Sequence, residues 1–253
     1  MKESIYIIPV MDALKDPGEC PFCAMYAGLE NSTINSLMGP SVAYMEDYVR
    51  EATDEQGFCP GHYDRLAKSK NPLGLALVLH THFVEINKQL NWLYQKQSGR
   101  KKGLLNKTKG DTPLAEYLQK LENTCYICNL MEKSYGKYLD TFFGLFSEEE
   151  EARDLLKSSK GVCLPHLSEI MDLAPKKLKD ANLKLFYDMV FMVQRFQMEK
   201  IEADLDWFVK KFDYRNQKEP WKDSKDATDR AILRLYGIKS NMVVKEGRCG
   251  EGK

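Results

Sequence analysis

One set of cysteines and histidines occurs twice in this chain, in the same order, and it limits the fold more than any other feature. The first copy reads "CPFC" (20–23) and later "GFCPGH" (57–62); the second reads "CYIC" (125–128) and later "GVCLPH" (161–166). Cys20 and Cys125 lie 105 positions apart, as do Cys23 and Cys128. Cys59 and Cys163 lie 104 apart, as do His62 and His166. Eight ligand-type residues therefore recur with one residue of slippage, and Gly57 and Gly161 recur with them. Such agreement indicates an internal duplication.

The duplication extends, more weakly, into the helices that follow. "HFVEINKQLNWLY" (82–94) matches "QMEKIEADLDWFV" (197–209), pairing Ile86, Leu90 and Trp92 with Ile201, Leu205 and Trp207. Leu75, Leu79, Phe83, Ile86, Leu90 and Leu93 fall at three- and four-residue steps, which predicts an amphipathic helix. Phe186, Val190, Val193, Gln197, Ile201, Leu205 and Phe208 predict a second, which runs on past Trp207 to about Asn216. Between each Cys-x-x-Cys and its Cys-x-x-His there is room for a helical hairpin. The first breaks at "MGPS" (38–41) and the second around Gly144, with Ser147 and Glu150 reading as a capping box. "IYIIPV" (5–10) reads as a short strand or extended arm.

The expected fold is mainly α: two tandem helical repeats, each a metal-clamped hairpin followed by a long helix, packed as one pseudo-symmetric domain. Residues 1–95 form the first repeat with its N-terminal arm and 114–240 the second with a closing helix. Residues 96–113 read as a basic flexible linker and 241–253 as a disordered tail.

Three thiolates and one imidazole make a closed tetrahedral shell of the kind that holds structural zinc. The expected metal ligands are Cys20, Cys23, Cys59 and His62 in one set, and Cys125, Cys128, Cys163 and His166 in the other. Grouping within a copy is favoured because it closes the shorter loops. Two zinc ions are expected, with an iron–sulfur cluster as the runner-up. A thiol–disulfide redox pair fits less well, because there is no βαβ pattern and the Cys-x-x-His halves would have no role. Such a shell leaves no position for water or substrate. No phosphate-binding glycine loop, G-x-S-x-G or H-E-x-x-H is present, so no catalytic residue is assigned and an enzyme is disfavoured. His80 and His82 read as helix-face residues with polar neighbours, since copy two has Arg195 and Gln197 there. Trp92 and Trp207 read as core anchors, and Cys249 as a thiol on the tail.

Lys and Arg total 37, as do Asp and Glu, so the formal net charge is zero. That balance gives no global case for nucleic acid or an anionic membrane. A nucleic-acid role would rest on Lys96, Arg100, Lys101, Lys102, Lys107 and Lys109. No apolar run reaches transmembrane length, and the N-terminal segment lacks the features of a signal peptide, so a cytoplasmic location is expected. The remaining expectation is an unidentified macromolecular partner.

"IYIIPVMDAL", the two Cys-x-x-Cys and Cys-x-x-His sets, and "WKDSKDATDRAILRLYG" (221–237) together resemble an uncharacterised bacterial family, a domain of unknown function. The resemblance runs from about Tyr6 to Gly237. It implies a helical cytoplasmic protein with a duplicated metal-type motif, and it supplies no activity.

Overall fold

The computed structural model describes residues 4–98 and 112–237. Most of the expected linker, including Arg100 to Lys109, lies outside the described residues, as do the tail and Cys249. Among the described residues the chain is helical throughout, without a strand.

The α-helices are α1 (Ile7–Lys15), α2 (Pro21–Met38), α3 (Asp47–Gln56), α4 (Pro60–Ala67), α5 (Pro72–Ser98), α6 (Pro113–Asn123), α7 (Tyr126–Glu148), α8 (Glu150–Ser158), α9 (Leu164–Lys177), α10 (Asp180–Lys210) and α11 (Ala227–Tyr236). They fall into two compact units. One holds residues 4–29 and 134–237, the other 30–98 and 112–133. The division passes through α2, between Leu29 and Glu30, and through α7, between Lys133 and Ser134.

The first unit centres on an aromatic cluster. Phe22 meets Phe142 at 4.9 Å between ring centroids, and Phe186 meets Phe146 at 5.2 Å and Phe143 at 5.5 Å, mostly edge to face. Phe186, Val190, Val193 and Ile201 give α10 the buried face that their spacing predicts. The second unit packs α3 against α5. Here the inward face of α5 differs from the expected one. Val78, His82 and Leu93 are buried, while Phe83 is 60% exposed and Trp92 54%. The face turns because His82 is held inward: its Nδ1 lies 2.7 Å from the carbonyl oxygen of Asp54. Trp92 instead carries the Lys96 ammonium over its ring.

Three local expectations are corrected. The "IYIIPV" segment is helical, a 3₁₀ turn (Ser4–Tyr6) leading into α1. Pro9 sits in the first turn of α1, where its missing N–H interrupts no helical bond. Val10, Ala13 and Leu14 are buried, which fixes the helix by packing. In α7 the helix does not break at Gly144. It continues to Glu148, and the Ser147 hydroxyl donates to the Phe143 carbonyl, so the capping box does not form. Keeping this stretch helical places Phe142, Phe143 and Phe146 together in the core. α8 starts without a side-chain cap, with Glu150 and Glu151 in its first turn, where acidic groups are favoured. Finally, α10 ends at Lys210 rather than running on to Asn216. The buried Lys211 ammonium gathers the carbonyls of Asn216, Gln217 and Glu219 and holds the turn that follows.

Candidate metal centres

Each of the four ligand pairs stands at the start of a helix: Cys20 before α2, Cys59 before α4, Cys125 before α7 and Cys163 before α9. In every case the cysteine carbonyl accepts the first-turn bond from the residue four positions on: Ala24, Tyr63, Asn129 and Leu167. The spacing explains the arrangement. A residue at the cap and one three positions later share a face of the first turn, so Cys-x-x-Cys and Cys-x-x-His each aim two donors at one point. Proline at the first or second position of α2, α4 and α9 costs no helical bond and pre-sets the turn. The positive end of a helix also favours thiolate over thiol.

The donors meet across the copies. Cys20, Cys23, Cys163 and His166 form one group, and Cys59, His62, Cys125 and Cys128 the other; within each group the donor atoms all lie within 4.8 Å of one another. Both groups could hold a metal ion. Grouping within a copy is therefore corrected: the Cys-x-x-Cys of each copy faces the Cys-x-x-His of the other. Loop closure was too weak a criterion. Closing from Cys23 to Cys163, 140 residues apart, instead of to Cys59 costs only about 1 kcal/mol more. Burial of the intervening residues outweighs this, since Phe22 and Ile127 are both fully buried. Each belongs to the unit that holds its own pair's centre.

Donor spacing is close to that of a tetrahedral shell, with most imidazole–sulfur distances a little shorter. Zinc–sulfur bonds of about 2.3 Å and a zinc–nitrogen bond of about 2.0 Å would set nitrogen and sulfur about 3.5 Å apart and two sulfurs about 3.8 Å apart. In centre one, His166 Nδ1 lies 3.1 Å from Cys163 Sγ, 3.4 Å from Cys23 Sγ and 3.6 Å from Cys20 Sγ, with Cys23 and Cys163 sulfurs 3.6 Å apart. In centre two, His62 Nδ1 lies 3.2 Å from the sulfurs of Cys59 and Cys125 and 3.4 Å from that of Cys128. Cys128 alone among the ligand-type residues is only partly buried.

The surroundings differ. In centre two, Glu30 Oε1 lies 3.2 Å from His62 Nε2, and Arg65 pairs with the same carboxylate. This carboxylate–histidine contact is at ion-pair distance but without hydrogen-bond alignment, and Nδ1 faces the sulfurs. In centre one, His166 Nε2 is buried without a hydrogen-bond partner among the described residues, and the ring sits against Phe22 and Tyr135.

Charge follows the crowding of sulfurs. Burial alone would lower the affinity of His62 for a proton, but hydrogen bonds to the sulfurs of Cys125 and Cys59 and the adjacent Glu30 carboxylate overcome it and push its pKa up to about 11. Burial pushes the Cys20 thiol up, and contacts from Cys163, Cys23 and His166 reverse this and hold it well below the usual thiol range. Hydrogen bonds from Cys125 and Cys128 similarly depress Cys59, whereas Cys128, facing the sulfurs of Cys125 and Cys59, is driven well above the usual thiol range. Crowded sulfurs favour a cation among them, a charge that a divalent metal could supply.

Glycine has a specific task at two positions. A Cβ at Gly57 (φ 58°) would lie 2.7 Å from His82 Nε2, so His82 supports the loop carrying Cys59. A Cβ at Gly237 (φ 65°) would lie 2.8 Å from Cys163 Sγ and 3.3 Å from Cys23 Sγ, so backbone just after α11 lies against centre one. Arg234, on α11 and 1% exposed, reaches Glu19 Oε2 at 3.0 Å and also the Lys160 carbonyl. It thereby ties the residue before Cys20 to the loop before Cys163. Glu30, Arg65, Glu19 and Arg234 were absent from the sequence reading. Glu19 and Arg65 adjoin the motifs without repeating in the other copy, Glu30 lies outside them, and Arg234 alone falls in the "RAILRLYG" ending.

The family described as a family of unknown function (DUF6062) matches residues 1–242. The chain belongs to this family. No curated protein and no solved structure matches it. Among the described residues, no helix of this DUF6062 member is long and apolar enough to cross a membrane.

Proposed function

We propose that this DUF6062 protein is a cytoplasmic zinc-stabilised helical scaffold, holding one ion at Cys20, Cys23, Cys163 and His166 and one at Cys59, His62, Cys125 and Cys128. The observation that carries the reading is the donor set itself: two groups of three sulfurs and one imidazole nitrogen, each at the meeting of two helix N-termini. A Cys₃His shell is closed, which suits a structural ion rather than a catalytic one. Each ion would fasten helix starts contributed by both copies and fix the surface they present to a macromolecular partner. Zinc is favoured over an iron–sulfur cluster because the four donors of each group lie within 4.8 Å of one another, close enough to share one ion.

Elemental analysis of anaerobically purified protein tests the proposal. Two zinc per chain and a colourless solution are expected; iron with visible absorption would replace zinc by a cluster, and a metal-free folded chain would end the proposal.

A further inference from the structure

α10 carries an apolar seam on its outer face. Leu185, Met189, Met192 and Phe196 follow one another at steps of four, three and four, the spacing of a coiled-coil seam. Leu185, Met192 and Phe196 are exposed and Met189 is half-buried, while Phe186, Val190 and Val193, about 100° round the helix, fill the core. Methionine and phenylalanine are residue types enriched in the buried centres of protein interfaces.

The charges beside the seam point to what covers it. Lys184 pairs with Asp188, and Arg195 with Glu199 at 2.8 Å. Both pairs place the base N-terminal to the acid, the weaker order along a helix. Elsewhere the order is the favourable one: Asp64 precedes Lys68, Asp206 precedes Lys210 and Asp226 precedes Arg230. Outward from the middle of the seam, the signs run minus then plus toward the N-terminus, and plus then minus toward the C-terminus. This pattern is its own complement when reversed.

We propose that α10 is a homodimer interface, in which two copies of this chain pair their α10 helices antiparallel about a twofold axis between Val190 and Phe191. In that register Met189 stacks on Met192 of the second copy, and Leu185 on its Phe196. Asp188 then meets Arg195 across the axis and Lys184 meets Glu199, each contact occurring twice by symmetry. The four central positions of the seam are apolar, Asp188 and Arg195 flank it, and Glu199 falls at the next seam step beyond Phe196.

Sedimentation of the full-length, metal-loaded protein at micromolar concentration tests this, with metal content and far-UV circular dichroism confirming that each variant is folded. Wild type sediments as a dimer. Met192→Glu sediments as a monomer with metal content unchanged. Asp188→Arg sets arginine against arginine and weakens dimerisation about tenfold or more, and adding Arg195→Asp restores it. A monomeric wild type would overturn the proposal and leave the seam to a different protein. A dimer that survives Met192→Glu would place the interface elsewhere. Failure of Arg195→Asp to rescue Asp188→Arg would overturn the antiparallel register.

Discussion

A few single residues distinguish the two centres. Glu30 touches only the second. Burial raises its carboxyl pKa, but the adjacent His62 imidazole and the Arg65 charge overcome this and hold it below the usual carboxylate range. Its contribution is therefore complete above the ordinary carboxylate pKa and is lost as pH falls through the depressed value. Glu30→Gln should weaken metal at centre two about 10–100-fold and leave centre one unchanged, as read by competition with a chromophoric chelator. It should also flatten the acid side of the stability profile of that centre. Equal loss at both centres would show that Glu30 acts on the whole fold. Gly237 is the corresponding residue for centre one. Gly237→Ala combines a positive φ with a Cβ against Cys163 Sγ and should cost about 1–3 kcal/mol, seen as a lower thermal midpoint with earlier loss of one metal equivalent.

At the level of elements, the sequence shows helices more plainly than it shows their partners. The α10 stripe was legible because Phe186, Val190, Val193 and Ile201 are buried at helical spacing. The α5 stripe was misread at Phe83 because a histidine, His82, occupies an inward position and periodicity does not register its hydrogen bond. The eight ligand-type residues were legible because they repeat, but their grouping was not. The physical difference between the alternatives is about 1 kcal/mol of loop closure, and packing at Phe22 and Ile127 decides it. Double variants separate the groupings directly. Cys20→Ser with Cys163→Ser should remove one metal equivalent, because both belong to one centre; Cys20→Ser with Cys59→Ser should remove two. The reverse outcome would restore grouping within copies.

For the whole molecule, the ions are expected to be part of folding stability. Apparent binding free energies of about 10–16 kcal/mol are typical for structural zinc in small peptides, comparable with the entire stability of many domains. Removing metal with a strong chelator should therefore lower helical circular dichroism and the thermal midpoint together. Reloading should release protons, because the His62 Nδ1 proton and the thiol protons leave as metal arrives. Titration calorimetry in buffers of different ionisation enthalpy measures that number, and a buffer-independent heat would contradict it.

The groupings are nested along the chain like brackets: Cys20 and Cys23 open the outer pair, Cys163 and His166 close it, and the whole second set lies between them. During synthesis the inner bracket can shut once Cys128 has left the ribosome. The two earliest thiols must wait until Cys163 and His166 emerge. Centre one is thus first to be opened and last to be sealed, and the nascent chain carries Cys20 and Cys23 uncommitted through most of its translation.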